Sequence, residues 1–301
     1  MSKDLALVIL LSYSYFDKCS IRRIEHLLKS GVNWFQVFNL AVQRETAYLT
    51  YSALKKLHYL HLLPGTLRSF WAVSYDGNIR RNQKLVEEKT KVVAELQKRE
   101  IPAYPIKGIA LLESVYEDIG VRYLSDIDFL VPPQYCTAIC KTIKQLQLEP
   151  LYINDADPYL YSRNVQDCHS LFCAKNLANP YDVDFCCDFT FTLFDSEDFF
   201  QYIAERLDIL VSATAFHATH ILLLCIYYYR AMERAGFPTD LESENLIKLI
   251  DIHTYISHYW EDGVKYEFEK ASDRFHLDHI ISYTMDRLKG FQTEDIASWI
   301  P

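Results

Sequence analysis

Residues 101–131 read IPAYPIKGIALLESVYEDIGVRYLSDIDFLV, and this stretch decides how the rest of the chain is interpreted. Its last part, residues 126–131, is short and rich in β-branched and aromatic side chains, which predicts a buried strand. Because side chains alternate along a strand, Asp126 and Asp128 are expected on one face. Two carboxylates on one pleat repel each other, and a divalent cation would compensate for their charge. The alternative is a strand end with two solvated aspartates.

A Lys-Gly pair lies between a predicted strand, residues 103–106, and a helix-like segment, residues 109–116. Glycine lets the backbone approach a ligand closely, and the free N–H groups at the start of a helix favour an anion. Lys107 would add a positive charge. The pattern therefore predicts a phosphate-binding turn at Lys107 and Gly108, and the alternative is a plain turn glycine beside a surface lysine.

A third acidic ligand is expected, because a pair of divalent cations held at a phosphate usually needs more than two carboxylates. The predicted strand over residues 181–189 offers Asp182, Asp184 and Asp188, which share one face by alternation. Spacing alone does not choose among these three residues.

The order of elements predicts an α+β fold, with a mixed-sheet core between two helical parts. We expect an N-terminal helical region over residues 1–100, a core over residues 101–195 and a C-terminal helical domain over residues 196–301. Side chains that can cap helices support this division. These candidate N-caps are Ser20, Asn33 and Ser196. The predicted strands cover residues 103–106, 126–131, 150–153, 170–174 and 181–189.

Composition limits the classes of partner. The 301 residues have a formal net charge of -9, which disfavours a long nucleic acid as substrate. The apolar run over residues 5–11 has no cleavage site after it, and no apolar run approaches the ~20 residues needed to span a bilayer. The eight cysteines include no Cys-x-x-Cys pair, so we expect reduced thiols in a cytoplasmic protein.

Other catalytic motifs are weaker. The pairs His217/His220 and His276/His279 have a helical spacing that could bind a metal, but neither has an obvious third ligand. No nucleophile elbow, Walker loop or Rossmann glycine pattern occurs. Hydrolase and dehydrogenase interpretations therefore have no supporting motif.

Taken together, Lys107-Gly108, Tyr116, Arg122 and residues 126–131 resemble the signature of the DNA polymerase beta-type nucleotidyltransferase superfamily. More narrowly, they resemble its uncharacterised bacterial nucleotidyltransferase branch, often found in natural-product and peptide-modification gene clusters. The likeness extends beyond the motif to most of the chain. Further similar stretches lie at residues 32–41, 222–225 and 249–251.

The resemblance implies roles for individual residues. Asp126, Asp128 and Asp184 would be the catalytic metal ligands, and Gly108 would adjoin the triphosphate. Arg122 could neutralise phosphate charge, although pairing with Asp118 or Glu117 is the alternative. Two departures from the family pattern are Ile109, where many members carry serine, and Cys186, where this branch often has histidine.

The reaction implied by the resemblance transfers a nucleoside monophosphate from an NTP, with ATP expected, to an acceptor hydroxyl, and it releases pyrophosphate. Two Mg²⁺ ions would assist the transfer, and Asp184 could also accept the proton. The acceptor would be a small molecule or a peptide. The competing hypothesis is a nucleotide- or peptide-binding module that has lost catalysis, because of Ile109 and Cys186.

Overall fold

The computed structural model describes residues 2–13, 16–145, 148–150, 170–175, 185–190, 196–207, 212–237 and 245–290. Within these ranges the chain forms twelve α-helices and one five-stranded sheet, which confirms the predicted α+β class. The helices are α1 (Lys3–Ser12), α2 (Lys18–Lys29), α3 (Trp34–Gln43), α4 (Ala47–Lys56), α5 (Gly65–Gln97), α6 (Lys107–Ser114), α7 (Cys136–Gln145), α8 (Glu197–Ala204), α9 (Ala213–Arg234), α10 (Leu246–Tyr259), α11 (Asp262–Phe275) and α12 (Asp278–Gly290). Short 3₁₀ turns cover Leu60–Leu62 and Pro133–Tyr135.

The sheet is mixed, as predicted, and has the strand order β1-β2-β5-β4-β3. Its strands are β1 (Tyr104–Ile106), β2 (Asp126–Leu130), β3 (Glu149–Pro150), β4 (Ser170–Lys175) and β5 (Phe185–Thr190). Strands β2 and β5 are parallel, whereas the other neighbouring pairs are antiparallel. Strand β2 therefore lies between β1 and β5, where both of its edges are hydrogen-bonded.

Two of the three predicted helix caps are confirmed. The side chain of Asn33 accepts a hydrogen bond from the N–H of Gln36, and that of Ser196 accepts one from Phe199. The prediction for Ser20 is wrong, because α2 begins earlier. Asp17 caps this helix by accepting the N–H of Ser20 at 2.6 Å.

Two apolar runs, residues 5–11 and 221–229, lie in buried helices. Leu7, Val8 and Leu11 of α1 are fully buried, so this run forms a core-facing helix. In α9, Ile221 and Tyr228 are also fully buried. Among the described helices, none combines the length and the apolar character that crossing a membrane requires.

The chain forms two compact units, and each is built from separate stretches of sequence. The first comprises Met1–Ile79, Val115–Tyr123 and Ile221–Pro301, and the second comprises Arg80–Ser114 and Leu124–His220. Helix α5 contributes residues to both units. The division into three consecutive domains stays a prediction.

Candidate active site

The Asp-x-Asp strand has the burial pattern of an internal strand. Ile127 and Phe129 are fully buried, Asp128 is only 4% exposed, and Asp126, at the first position of β2, is partly exposed. Alternation along β2 places positions 126 and 128 on the face opposite Ile127 and Phe129. A buried carboxylate such as that of Asp128 needs a charged or hydrogen-bonding partner.

Lys107 is a partner of Asp128. Its Nζ lies 2.5 Å from Oδ1 of Asp128, with 23% of the lysine side chain and 5% of the aspartate side chain exposed. The contact follows from the sheet register, because Ile106 of β1 is the neighbour of Asp128 in the antiparallel pair β1–β2. The ammonium group of Lys107 therefore compensates for part of the carboxylate charge. The sequence predicted that a divalent cation would have this role.

The backbone at Lys107 is unusual. Its φ angle is 57°, in the left-handed region that costs an L-residue other than glycine roughly 1–2 kcal/mol. This conformation turns the chain directly from β1 into α6, so Lys107 is the turn residue. Gly108 is buried as the second residue of α6, so the predicted strand-to-helix junction is present, with the positive φ at Lys107 and not at the glycine. Backbone strain of this kind is common at functional sites.

The third predicted metal ligand, Asp184, lies outside the described residues, as does Asp182. The neighbouring strand β5 is described from Phe185 onward and runs parallel to β2. In its register Cys186 is the partner of Asp126, and Asp188 is the partner of Asp128. Position 188 therefore lies beside position 128 in the sheet.

Arg122 makes a buried ion pair with Asp251. Its Nη2 donates to Oδ2 of Asp251 at 3.0 Å, and its Nε lies 3.2 Å from each carboxylate oxygen. The hydroxyl of Tyr116 donates to Oδ1 of the same carboxylate at 2.7 Å. Burial and the Asp251 charge both raise the pKa of Tyr116. Burial lowers the pKa of Arg122 while Asp251 raises it, and the net shift is upward.

This ion pair bears on the predicted role of Arg122. Its carboxylate partner is Asp251, on α10, and Asp118 accepts hydrogen bonds from Tyr75 at 2.5 Å and from the Gly120 N–H at 2.8 Å. The guanidinium also donates to the carbonyl of Tyr123. The phosphate contact of Arg122 stays a prediction.

Helix α5 fixes the segment that precedes β2. The side-chain amide of Asn78 donates to the carbonyl of Gly120 at 2.8 Å and to that of Arg122 at 3.2 Å. Asn78 is only 3% exposed, so its two N–H bonds replace water at two buried carbonyls. Position 78 lies seven residues before the buried Leu85, a helical spacing that places both residues on one face of α5.

No group of three or more His, Cys, Asp or Glu side chains within the described ranges is placed to hold a metal ion. By donor type, Asp126 and Asp128 fit Mg²⁺, which prefers carboxylate oxygens.

His220, a member of the candidate metal-binding pair His217/His220, packs in the protein core. Its ring lies 4.5 Å from that of Phe216, and burial, with a smaller effect of His217, lowers its pKa to about 4.

Comparison with known protein families identifies the class. A family model described as "uncharacterised nucleotidyltransferase" matches residues 30–289. The chain therefore belongs to this nucleotidyltransferase family, which supports a general role in nucleotidyl transfer. Neither the search of curated proteins nor that of solved structures gave a match.

Proposed function

We propose that the protein is an Mg²⁺-dependent nucleotidyltransferase, which transfers a nucleoside monophosphate from an NTP to an acceptor hydroxyl and releases pyrophosphate. The observation that carries this proposal is the Lys107–Asp128 contact on an Asp-x-Asp strand, in a chain of the nucleotidyltransferase family. ATP is the nucleotide we expect. The net charge of -9 favours a small molecule or a peptide as acceptor over a long nucleic acid.

In this proposal Asp126, Asp128 and Asp184 would hold the metal. Mg²⁺, when bound there, would offset the charge of the triphosphate and lower the pKa of the acceptor hydroxyl. The acceptor oxygen forms a bond to the α-phosphorus, and the bond from that phosphorus to the pyrophosphate oxygen breaks. Asp184 is the proposed acceptor of the hydroxyl proton.

The start of α6 provides the proposed phosphate site. Free backbone N–H groups at a helix N-terminus attract anions, and Gly108 is the second residue of this helix. Lys107, immediately beside it, would share its ammonium between Asp128 and a phosphate oxygen. We leave Arg122 out of the phosphate site, because a phosphate contact would take its guanidinium from a buried carboxylate.

The experiment measures pyrophosphate release from each of the four NTPs with Mg²⁺ and a panel of hydroxyl acceptors. Asp126→Asn and Asp128→Asn are expected to lower the rate by about 100-fold or more, because each removes a carboxylate that would hold Mg²⁺ at the transferring phosphate. Asp286→Asn, at an exposed surface position, is the matched control and should retain wild-type activity. Undiminished activity in the Asp126 and Asp128 variants would contradict the proposal.

A binding module without catalysis is the second candidate. It is favoured by Ile109 directly after Gly108 and by Cys186 at the register position of Asp126, where the resemblance leads us to expect serine and histidine. Calorimetric titration with NTP and Mg²⁺ separates the two candidates. Tight NTP binding with no turnover across the acceptor panel would support the binding module.

A further inference from the structure

The backbone immediately before Asp126 is held from a side chain of α5. Leu124 and Ser125 precede β2, whose pairing with β5 begins at Asp126. Nε of Arg81 donates to the carbonyl oxygen of Leu124 at 2.9 Å, and its Nη2 donates to that of Ser125 at 3.4 Å. One planar guanidinium thus binds two successive carbonyls, which fixes the orientation of both peptide groups.

Ser125 links this backbone segment to the Asp126 carboxylate. The hydroxyl of Ser125 donates to Oδ1 of Asp126 at 2.8 Å. A displacement of the Ser125 peptide would therefore move both the hydroxyl that orients the carboxylate and the backbone that carries it. Arg81 is thus linked to the Asp126 carboxylate through Ser125.

The backbone of Arg81 lies in a well-packed part of α5. Arg81 lies within the 33-residue helix α5, next to the fully buried Asn82 and four residues before the fully buried Leu85. The backbone that carries Arg81 is therefore held in place, and only the side-chain rotamers of Arg81 must be ordered when its guanidinium binds two carbonyls. The neighbouring Arg80 points to a different side of the helix and is exposed.

We propose that Arg81 is a positioning residue, which holds the entry to β2 so that the Asp126 carboxylate has the orientation needed for metal binding and nucleotidyl transfer. This inference rests on the proposed function for the role of Asp126. Residues that orient metal ligands typically change metal affinity or activity by about 10–100-fold when they are replaced. The same range is expected when a reacting group is displaced by about 1 Å.

The test compares Arg81→Met, Arg81→Lys and the matched control Arg80→Met. In Arg81→Met we expect kcat to fall by about 10–100-fold while the KM for NTP changes by less than about threefold. Mn²⁺ affinity, titrated by electron paramagnetic resonance, should fall over the same range. Arg81→Lys should recover part of the loss, since an ammonium group can donate to carbonyls without the planar fork. Arg80→Met should match the wild type.

Hydrogen exchange at residues 124–128 provides a readout that does not depend on turnover. We expect faster exchange in Arg81→Met than in Arg80→Met. Unchanged exchange would overturn the inference whatever the activity, and faster exchange with unchanged kcat and Mn²⁺ affinity would reduce Arg81 to a structural residue. A raised KM at constant kcat would make it a phosphate contact. Absence of transfer in the wild type would contradict the proposed function, and exchange together with Mn²⁺ affinity would then decide the inference.

Discussion

Nζ of Lys107 lies 2.5 Å from Oδ1 of Asp128, so the residue that turns β1 into α6 is also a counter-charge of the buried aspartate in β2. The two residues are 21 positions apart and meet because β1 and β2 are antiparallel neighbours. A cation at Asp128 would have to share its carboxylate with this ammonium group. In the proposed function, the stability of the sheet and the affinity of the site for Mg²⁺ would therefore be linked through one ion pair.

Lys107→Met should destabilise the protein by about 1–3 kcal/mol, because it leaves a buried carboxylate without this charged partner. Added Mg²⁺ should stabilise this variant more than it stabilises the wild type, since the ammonium group no longer competes for Asp128. Urea unfolding with and without Mg²⁺ measures both effects.

Two controls accompany the Lys107 measurement. Lys141→Met, at an exposed position, should change the free energy of unfolding by less than about 0.5 kcal/mol. The double variant Lys107→Met/Asp128→Asn should lose the added response to Mg²⁺. An equal response to Mg²⁺ in the wild type and in Lys107→Met would show that the lysine does not compete with the metal.

Asp251→Asn should destabilise the protein by about 3–5 kcal/mol, because it removes the negative charge that Arg122 faces in a buried ion pair. Glu269→Gln, which breaks the exposed Lys265–Glu269 pair, should cost less than about 0.5 kcal/mol. Chemical unfolding of both variants gives the comparison. If the two variants lost similar amounts of stability, the Arg122 pair would not be an anchor of its unit.

Gly120→Ala tests how closely the segment before β2 approaches α5. A Cβ at this position would lie 2.6 Å from Cγ1 of Ile79 and 3.0 Å from the Tyr75 ring, so we expect a loss of about 1–3 kcal/mol. Gly77→Ala has no atom within 4 Å and lies inside α5, so it should stabilise the protein by about 0.5–1 kcal/mol. Thermal unfolding of the two variants should therefore give shifts of opposite sign.

The sequence predicted the elements of the site better than the contacts between them. Strand β2 was predictable because alternation and β-branched content are local properties, and Asn33 was predictable as a cap for the same reason. Ser20 failed as a cap because Asp17, three residues earlier, offered a competing acceptor. Which of two nearby candidates caps the helix depends on the path of the chain that leads into it, and the local sequence does not specify this path.

The partners of the site residues depend on tertiary structure. Lys107 could be predicted as a charge near a phosphate, but its contact with Asp128 depends on the register of β1 against β2. The contact of Arg122 with Asp251 joins residues 129 positions apart, whereas the sequence suggested only the nearby Asp118 and Glu117. The identities of the side chains thus indicated the chemistry of the site. Contacts between residues far apart in the sequence determined which partner each charged side chain has.

His253 should contribute to the loss of stability in acid. Burial lowers its pKa to about 4 from an ordinary value of 6.5, so the folded protein holds it neutral while the unfolded chain binds a proton. Stability from this residue is complete above pH 6.5 and falls by about 1.4 kcal/mol per pH unit between pH 6.5 and pH 4. Below about pH 4 both states are protonated and the dependence ends.

His253→Phe should remove this part of the acid dependence. Both ring nitrogens are buried without a hydrogen-bond partner among the described residues, and the ring meets Tyr13 edge-on with centroids 4.7 Å apart. A phenyl ring can keep that contact without burying unpaired polar atoms, so stability at pH 8 should not fall. Urea unfolding from pH 4 to pH 8 measures the slope, with His26→Gln at an exposed position as the control. His220, whose pKa burial also lowers to about 4, keeps its own share of the acid dependence in this variant. A slope in His253→Phe equal to that of the wild type would show that His253 does not contribute to the acid dependence.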